Sequence, residues 1–335
     1  MIKQALIGLT AAAMLVGCSG ESKQEPAKTS DAPKAAETKA PVTVGLVQLV
    51  EHPALDAAAR GIQDAVKARG LSVQFDLQNA QADQSNLANI AQRFVSQEYP
   101  LIFAIATPAA QTMANATKTV PIVATAVTDY ESAKLILSKE KPGTNVTGTS
   151  DLNPVGAQLD LLMQFVPQAK TIGTIYNSSE INSQFQVELL KKELTRYGNV
   201  KLVEGTVSSV NDVQQVAQGL VGKVDAIYVP TDNIIASAMP VLTKITAPAK
   251  VPVIPAEEGG LQGGGLATVG VDYYELGKIT GNMGADILEG KSKPADTPIG
   301  FQTEFKVKVN EDVLKSLGLT LPESIKGKAE FIKLN

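Results

Sequence analysis

From residue 42 onward, apolar residues follow two alternating patterns. Residues 42–50 form a β-branched run that predicts a strand, and Leu55, Ala58 and Ile62 then recur at the spacing of an amphipathic helix. The alternation continues through strands predicted over 72–77, 101–106 and 121–127, with a helix after each of the first two.

The same pattern restarts after residues 149–151. It predicts further strands at 171–176, 201–207, 226–229 and 251–254. Asn211 with Gln214 fits a capping box at a helix start. A later helix runs to about residue 246, and the glycines of 259–265 predict a loop. Strands that alternate with helices in both halves favour two parallel, doubly wound sheets. We therefore expect an α/β protein built from two Rossmann-like lobes.

The N-terminal 41 residues differ from the rest. Residues 1–17 hold one lysine and then an apolar stretch, which fits a secretory signal and is too short to span a bilayer. The stretch ends in Leu-Val-Gly-Cys, which resembles the bacterial lipobox, so we predict a lipoprotein signal peptide with Cys18 as the acylated lipid anchor. The alternative is an ordinary signal peptide with an inert cysteine. Residues 18–41 are rich in charge and proline and predict a disordered tether.

Composition narrows the classes of function. The 335 residues include 30 Lys+Arg and 34 Asp+Glu, and a formal charge of −4 excludes the broad basic surface of a nucleic-acid binder. One His and one Cys exclude most metal sites and any disulfide framework. The motifs of phosphate-binding loops, zinc proteases and serine hydrolases are absent from the sequence. We expect no cofactor, no metal and no catalysis; an enzyme would have to use His52 as its base.

Ligands of doubly wound sheets bind beyond the carboxyl ends of the strands. The candidate ligand-binding residues are therefore the polar ones that follow the predicted strands: Gln48, His52, Thr107, Thr128 and Asp129 in the first half, and Tyr176, Asn177, Asp232, Asn233, Glu257 and Asp272 in the second. Several of these residue types also cap helices, so each has a structural alternative.

Several sequence blocks resemble one known family. They include VQLVEHPALD at 47–56, IATPAAQ at 105–111, PTDN at 230–233 and VDYYELG at 271–277. In this order they resemble the substrate-binding lipoproteins of ABC transporters, of the tryptophan/tyrosine type, over residues 42–326. The resemblance adds Glu180, Asn182 and Ser183 to the candidate site. Tyr130 stands where many relatives carry proline, and it either contacts the ligand or covers the hinge.

The resemblance implies the type I periplasmic-binding-protein fold, with two lobes joined by a three-segment hinge. The first lobe would comprise residues 42–149 and 273–298. The second would comprise 150–272 and 299–335. The resemblance also implies closure of the lobes on a small ligand, delivery of that ligand to an ABC permease and its ATPase, and an extracytoplasmic location. We expect a monomer held at the membrane by its lipid anchor.

The residues limit the ligand. No candidate position is Arg or Lys, which disfavours phosphate and polycarboxylate ligands. Acidic candidates suit an ammonium group, and the turn at Thr107 suits a carboxylate, so an α-amino acid fits; an aromatic side chain is implied by the resemblance alone. We expect Thr107 and Thr128 at the carboxylate, Asp129 or Asp232 at the amine, and Tyr176 or Tyr130 against the side chain. A branched-chain or other amine ligand and a signalling receptor are the alternatives.

Overall fold

The computed structural model describes residues 41–333, which fold into thirteen strands and eleven α-helices. In chain order the strands are β1 (Val42–Gln48), β2 (Val73–Asn79), β3 (Ile102–Ile105), β4 (Ile122–Val127), β5 (Val146–Ser150), β6 (Thr171–Asn177), β7 (Lys201–Val207), β8 (Ala226–Val229), β9 (Val253–Pro255), β10 (Ala267–Gly270), β11 (Gly300–Phe301), β12 (Lys306–Asn310) and β13 (Glu330–Ile332). The helices are α1 (Pro53–Ala68), α2 (Gln84–Ser96), α3 (Thr107–Ala116), α4 (Val155–Phe165), α5 (Ile181–Leu194), α6 (Val213–Leu220), α7 (Asn233–Ser237), α8 (Met239–Thr246), α9 (Gly259–Gln262), α10 (Tyr273–Leu288) and α11 (Glu311–Leu317).

The first sheet has six parallel strands in the spatial order β11-β5-β4-β3-β1-β2. Its strands β3, β4 and β5 are buried along their whole length, as parallel strands with helices on both faces should be. We call this sheet, with α1, α2, α3 and α10, the first lobe. The sequence predicted that the chain passes to the second lobe between residues 298 and 299. Strand β11 follows this point, but it pairs with β5 and so belongs to the sheet of the first lobe.

The second lobe contains two smaller sheets and the remaining helices. One is parallel with the order β7-β6-β8-β9, and the other has the order β10-β12-β13 with an antiparallel first pair. The predicted α/β fold is therefore confirmed. Strands predicted over 201–207 and 226–229 have those bounds.

The capping box predicted at Asn211 is wrong. The capping pair is Ser209 with Asp212, because Ser209 has the extended backbone of a cap residue and the carboxylate of Asp212 accepts hydrogen bonds from its N–H. Asn211 lies inside the short 3₁₀ turn that follows Ser209, before α6 begins.

Two more element predictions are corrected. The helix predicted to run to about 246 is two helices, α7 and α8, separated at Ala238, and Pro240 lies in the first turn of the second. The predicted glycine loop contains one helical turn, α9. Gly260 of this turn packs so closely on Pro255 that an added Cβ would lie 2.5 Å from the Pro255 Cβ, which accounts for the glycine there.

Helix α10 packs closely along α1 through glycines. A Cβ added at Gly61 would lie 2.2 Å from the Tyr274 carbonyl oxygen, and one added at Gly277 would lie 2.2 Å from that of Ala58. At the far end, Arg69 pairs with Asp286 at 2.8 Å. This contact fixes the position of the α10 start, which is where the chain returns from the second lobe.

The two lobes contact each other. Ile181 at the start of α5 packs against the core of the first lobe, and Ala82 after β2 packs against a core cluster of the second. A Cβ added at Gly259 would lie 3.1 Å from the backbone nitrogen of Ala54 in α1.

Among residues 41–333 no helix is both long and apolar enough to cross a membrane. The signal peptide, Cys18 and nearly all of the tether lie outside the described residues.

Replacing Gly277 with alanine is expected to destabilise the protein by about 1–3 kcal/mol or more, because the methyl group would collide with rigid backbone. Urea unfolding measures the change. The matched control is Gly219→Ala in α6, where an added Cβ meets nothing within 4 Å and alanine should stabilise the helix by about 0.5–1 kcal/mol. Equal midpoints for the two variants would contradict the close α1–α10 contact.

Candidate functional site

The end of β1 places Gln48 and His52 at the start of α1. Gln48 is engaged locally, since its Nε2 donates to the Val50 carbonyl at 2.9 Å and to Asp56 Oδ1 at 2.6 Å. The His52 ring is buried, and neither of its nitrogens has a hydrogen-bond partner among the described residues. Burial lowers the pKa of His52 to about 4, although Asn233 of the second lobe and Asp56 favour the protonated form. The ring is therefore neutral at pH 7.

Thr107 begins α3 directly after β3. The residue before it, Ala106, has φ of 88°, and Ala126 at the end of β4 has φ of 54°; such left-handed conformations in non-glycine residues are strained and cluster at functional sites. The Thr107 hydroxyl is buried without a partner. The first N–H groups of a helix also lack intrahelical partners. Thr107 and its turn therefore present hydrogen-bond donors to an anionic group.

A cavity of about 450 Å³ adjoins this turn. Its lining includes Pro108 and Gln84 of the first lobe and Ser179 of the second. Most of its lining lies along α3 and residues 133–146 of the first lobe, with Ser179 of the second lobe at one side.

A hydrogen-bonded chain crosses the hinge. Thr128, after β4, donates through its hydroxyl to Asp151 Oδ1 at 2.9 Å, and the Tyr273 hydroxyl donates to Asp151 Oδ2 at 2.7 Å. Asp151 follows β5 and is fully buried, whereas Tyr273 begins α10. Burial raises the pKa of Asp151 to about 6 against the opposing effect of these two hydrogen bonds.

The second lobe contributes a buried pair of acids. Asp232 caps α7 and accepts from the backbone N–H of Asn177 at 2.6 Å and from the Ser183 hydroxyl at 2.7 Å. Burial raises the pKa of Asp232, and the neighbouring carboxylate of Glu180 raises it further. Asn233 and Asn182 donate to Glu180, while the Asn182 Oδ1 is buried without a partner.

Glu257 is a third buried acid of the second lobe, beside the start of α1. Its Oε2 accepts from the N–H of Gly259 at 3.1 Å. Burial raises the pKa of Glu257 to about 7, and the neighbouring acids Asp151 and Glu258 raise it further against the effect of the Gly259 N–H. Glu257 and Asp151 therefore interact electrostatically across the hinge side of the site.

Four of the predicted site residues have side chains that are engaged with other groups of the protein and are not free to bind a ligand. Asp129 pairs with Lys139 at 2.7 Å, and Asp272 caps α10 through the Tyr274 N–H. Tyr130 is buried in the first lobe, where its hydroxyl donates to the carbonyls of β4 and β5. The Tyr176 hydroxyl donates to Glu204 on the exposed side of the second lobe.

Sequence reasoning missed Asp151, Gln186 and Tyr273. Gln186 and Thr231 exchange two hydrogen bonds: Gln186 Nε2 to Thr231 Oγ1 at 2.7 Å, and the Thr231 N–H to Gln186 Oε1 at 3.0 Å. Gln186 lies inside a helix, so a search for polar residues that follow the carboxyl ends of strands does not select it. Asp151 and Tyr273 follow β5 and β10, which were not among the predicted strands, so a search for polar residues after the correct set of strands would have found them.

Four carboxylates lie buried between or beside the lobes, and none has a Lys or Arg ion-pair partner in residues 41–333: Asp151, Glu180, Asp232 and Glu257. Asp129 differs because Lys139 pairs with it, and its pKa is lowered as the hydrogen bonds from Lys139 and Ser132 outweigh burial. Buried charge without a partner is unfavourable. The arrangement therefore favours a cationic group arriving from outside. No three His, Cys, Asp or Glu side chains of the described residues come together as metal ligands.

Comparisons with known proteins agree with this two-lobed arrangement. The sequence model of a family described as "ABC transporter substrate binding protein" matches residues 43–333. The chain belongs to that family. A curated relative named "Tyrosine-binding protein", from Clostridioides difficile, is 42% identical over 318 residues, which cover 94% of this chain and 91% of that protein. Members of this family of ABC transporter substrate-binding proteins bind solutes without catalysis and act outside the cytoplasm.

Two similar solved structures, one with a bound ligand and one ligand-free and open, allow the arrangement of the lobes to be compared. The ABC domain from Streptococcus pneumoniae in complex with L-Trp superimposes with a TM-score of 0.84 at 38% identity, covering 87% of this chain and 99% of that one. A ligand-free, open substrate-binding protein from Clostridium difficile gives 0.67 at 45% identity, covering 88% and 100%. The arrangement of the lobes is thus closer to the complex, although the sequence is closer to the open protein. The fold is that of the type I periplasmic binding proteins.

The raised pKa values predict that pH controls closure of the empty protein. Because Asp151 and Glu257 have raised pKa values in the closed form, that form binds more protons than an open form with ordinary carboxyl groups, and acid favours closure. The radius of gyration from X-ray scattering should therefore increase as pH rises through about 6–7. Glu257→Gln should weaken this dependence and Asp129→Asn, which alters a lysine-paired acid, should preserve it. A wild-type radius that is constant from pH 5 to 8 would contradict the prediction.

Proposed function

We propose that this protein is a receptor that captures a free amino acid between its two lobes, most favourably an aromatic one. One observation carries the proposal. Buried acids that have no Lys or Arg partner occur together with buried hydrogen-bond donors, such as the Thr107 hydroxyl, that have no acceptor. A zwitterion supplies both missing groups, because its ammonium is a cation and its carboxylate is an acceptor. Closure around the ligand follows as a population shift toward the state that contacts it from both lobes.

Asp151 and Glu257 are the acids we assign to the ammonium group. Asp129 is already paired with Lys139. Asp232 accepts three hydrogen bonds, from the N–H groups of Asn177 and Ile235 and from the Ser183 hydroxyl, and so acts as an internal cap. Asp151 and Glu257 come from different segments, and both have pKa values raised by burial. An ammonium group between them would stabilise their charged forms.

Thr107 is the residue we assign to the carboxylate group. Its free hydroxyl and the first turn of α3 provide neutral donors, and a helix N-terminus favours an anion. His52 lies at the same edge of the first sheet with two unpartnered nitrogens. Because its ring is neutral, one nitrogen donates and the other accepts. Together these groups can hold a carboxylate without any arginine.

The aromatic side chain of the ligand is supported by the relatives. One is named as tyrosine-binding and another was solved with L-Trp, and both share more than a third of their residues with this chain. Delivery of the ligand to an ABC permease follows from the role of the family. Anchoring through acylated Cys18 remains the prediction made from the sequence.

Thermal unfolding of the ligand-stripped protein against single amino acids tests the proposal. A ligand at about a hundred times its Kd stabilises by about 2.7 kcal/mol, which raises Tm by several degrees. We expect shifts with Trp, Tyr or Phe and none with the matching amines or acids at the same concentration. An increase in Tm with Leu or Val only would contradict the aromatic assignment. If no amino acid raised the Tm, the proposal of an amino-acid ligand would be wrong.

Thr107→Val should weaken amino-acid binding by roughly 10- to 100-fold, because a hydrogen bond to a charged group contributes about 1.5–3 kcal/mol. Calorimetry of binding measures the loss. Thr174→Val is the matched control: Thr174 is also buried with an unpartnered hydroxyl, but it lies within β6. Equal affinities for the two variants would contradict the role assigned to Thr107.

A further inference from the structure

We infer that Gln186 is a positioning residue that locks the closed state and so sets how long the ligand stays bound. The inference rests on the proposed function, because it concerns closure around that ligand. Gln186 belongs to α5 of the second lobe, and its side chain is fully buried. Its hydrogen-bond partners are Thr231 and Thr128, not the acids assigned to the ligand.

Gln186 is held from both ends of its amide by one residue. Its Nε2 donates to the Thr231 hydroxyl at 2.7 Å, and its Oε1 accepts from the Thr231 N–H at 3.0 Å. Asn153, between β5 and α4, also donates to the Thr231 hydroxyl, at 3.1 Å. The amide plane is therefore fixed, which directs the second Nε2 hydrogen.

That second hydrogen is directed at the first lobe. Gln186 Nε2 lies 3.5 Å from the hydroxyl oxygen of Thr128. This contact joins a side chain of the second lobe directly to a side chain of the first. Both residues are almost wholly inaccessible to solvent. The bond therefore forms only when the lobes are closed.

The same Thr128 hydroxyl is tied to the ligand-binding acid. It donates its hydrogen to Asp151 Oδ1 at 2.9 Å, which leaves its lone pairs for Gln186. A ligand ammonium group beside Asp151 holds that carboxylate in its charged form, and charged acceptors form stronger hydrogen bonds. Donation by Thr128 then becomes fixed in direction. Ligand binding and the bond between the lobes thus reinforce each other through one hydroxyl group.

The dissociation rate of L-tryptophan tests this role. The chain contains no Trp, so the fluorescence of bound L-tryptophan can be excited selectively while an excess of L-phenylalanine displaces it. We expect Gln186→Met to accelerate dissociation by roughly 3- to 10-fold with a much smaller change in the association rate. Thr128→Val should do the same, Thr128→Ser should keep the wild-type rate, and the double variant Gln186→Met/Thr128→Val should be no faster than the faster single variant.

Gln158→Met is the matched control. Gln158 is also a fully buried glutamine of the second lobe, but it donates to carbonyls of its own lobe, those of Ala256 and Val269. It should lower thermal stability without changing the dissociation rate relative to wild type. Equal acceleration by Gln158→Met and Gln186→Met, or multiplicative effects of Gln186→Met and Thr128→Val, would overturn the inference.

A second readout separates this inference from the proposed ligand. X-ray scattering of the ligand-free proteins should show a more open Gln186→Met than wild type or Gln158→Met at the same pH. If L-tryptophan does not bind wild type, the aromatic ligand is wrong, and the scattering alone decides on Gln186. If the radii of the three proteins are equal, the locking role is wrong whatever the ligand.

Discussion

Four carboxylates are removed from water near the interface of the lobes without a lysine or arginine to compensate them. A buried acid in such surroundings has two ways to avoid an isolated charge, which are to take up a proton or to receive a cation. The raised pKa values of Asp151 and Glu257 show that burial favours proton uptake by these two acids. A ligand ammonium group provides the second. In this account, proton and ligand therefore compensate the same acids and both favour closure.

The fold determines where those acids meet. Parallel strands bring their carboxyl ends to one edge of a sheet, so residues distant in sequence, such as His52 and Thr107, lie on the same side of the first lobe. The return of α10 to this lobe places Tyr273 against Asp151, 122 positions away in sequence. That return depends on the absence of side chains where α10 meets α1, at Gly61 and Gly277. The packing of α10 on α1 thus positions Tyr273 against Asp151, one of the acids that we assign to the ligand.

Much of this arrangement could be predicted from local pattern. The alternation of strands and helices indicated the fold class, and the rule of strand ends selected His52, Thr107 and Glu257, all of which lie at the interface or beside it. The rule selected Asp129 and could not show that this acid is already paired, because only the folded chain brings Lys139 to it. It also could not determine that the Tyr176 side chain turns outward to Glu204. Gln186 carried no local signal, since its partners lie in other elements.

The central claim is that the buried acids hold an ammonium group and that neutral donors hold a carboxylate. Calorimetry with L-tyrosine and two truncated analogues, tyramine and 3-(4-hydroxyphenyl)propionate, tests it most directly. Removing the ammonium group leaves the buried acids uncompensated, so the propionate should lose roughly 100-fold or more in affinity and lose more than tyramine. If the propionate binds as tightly as L-tyrosine, the buried acids do not hold the ligand and the account is wrong.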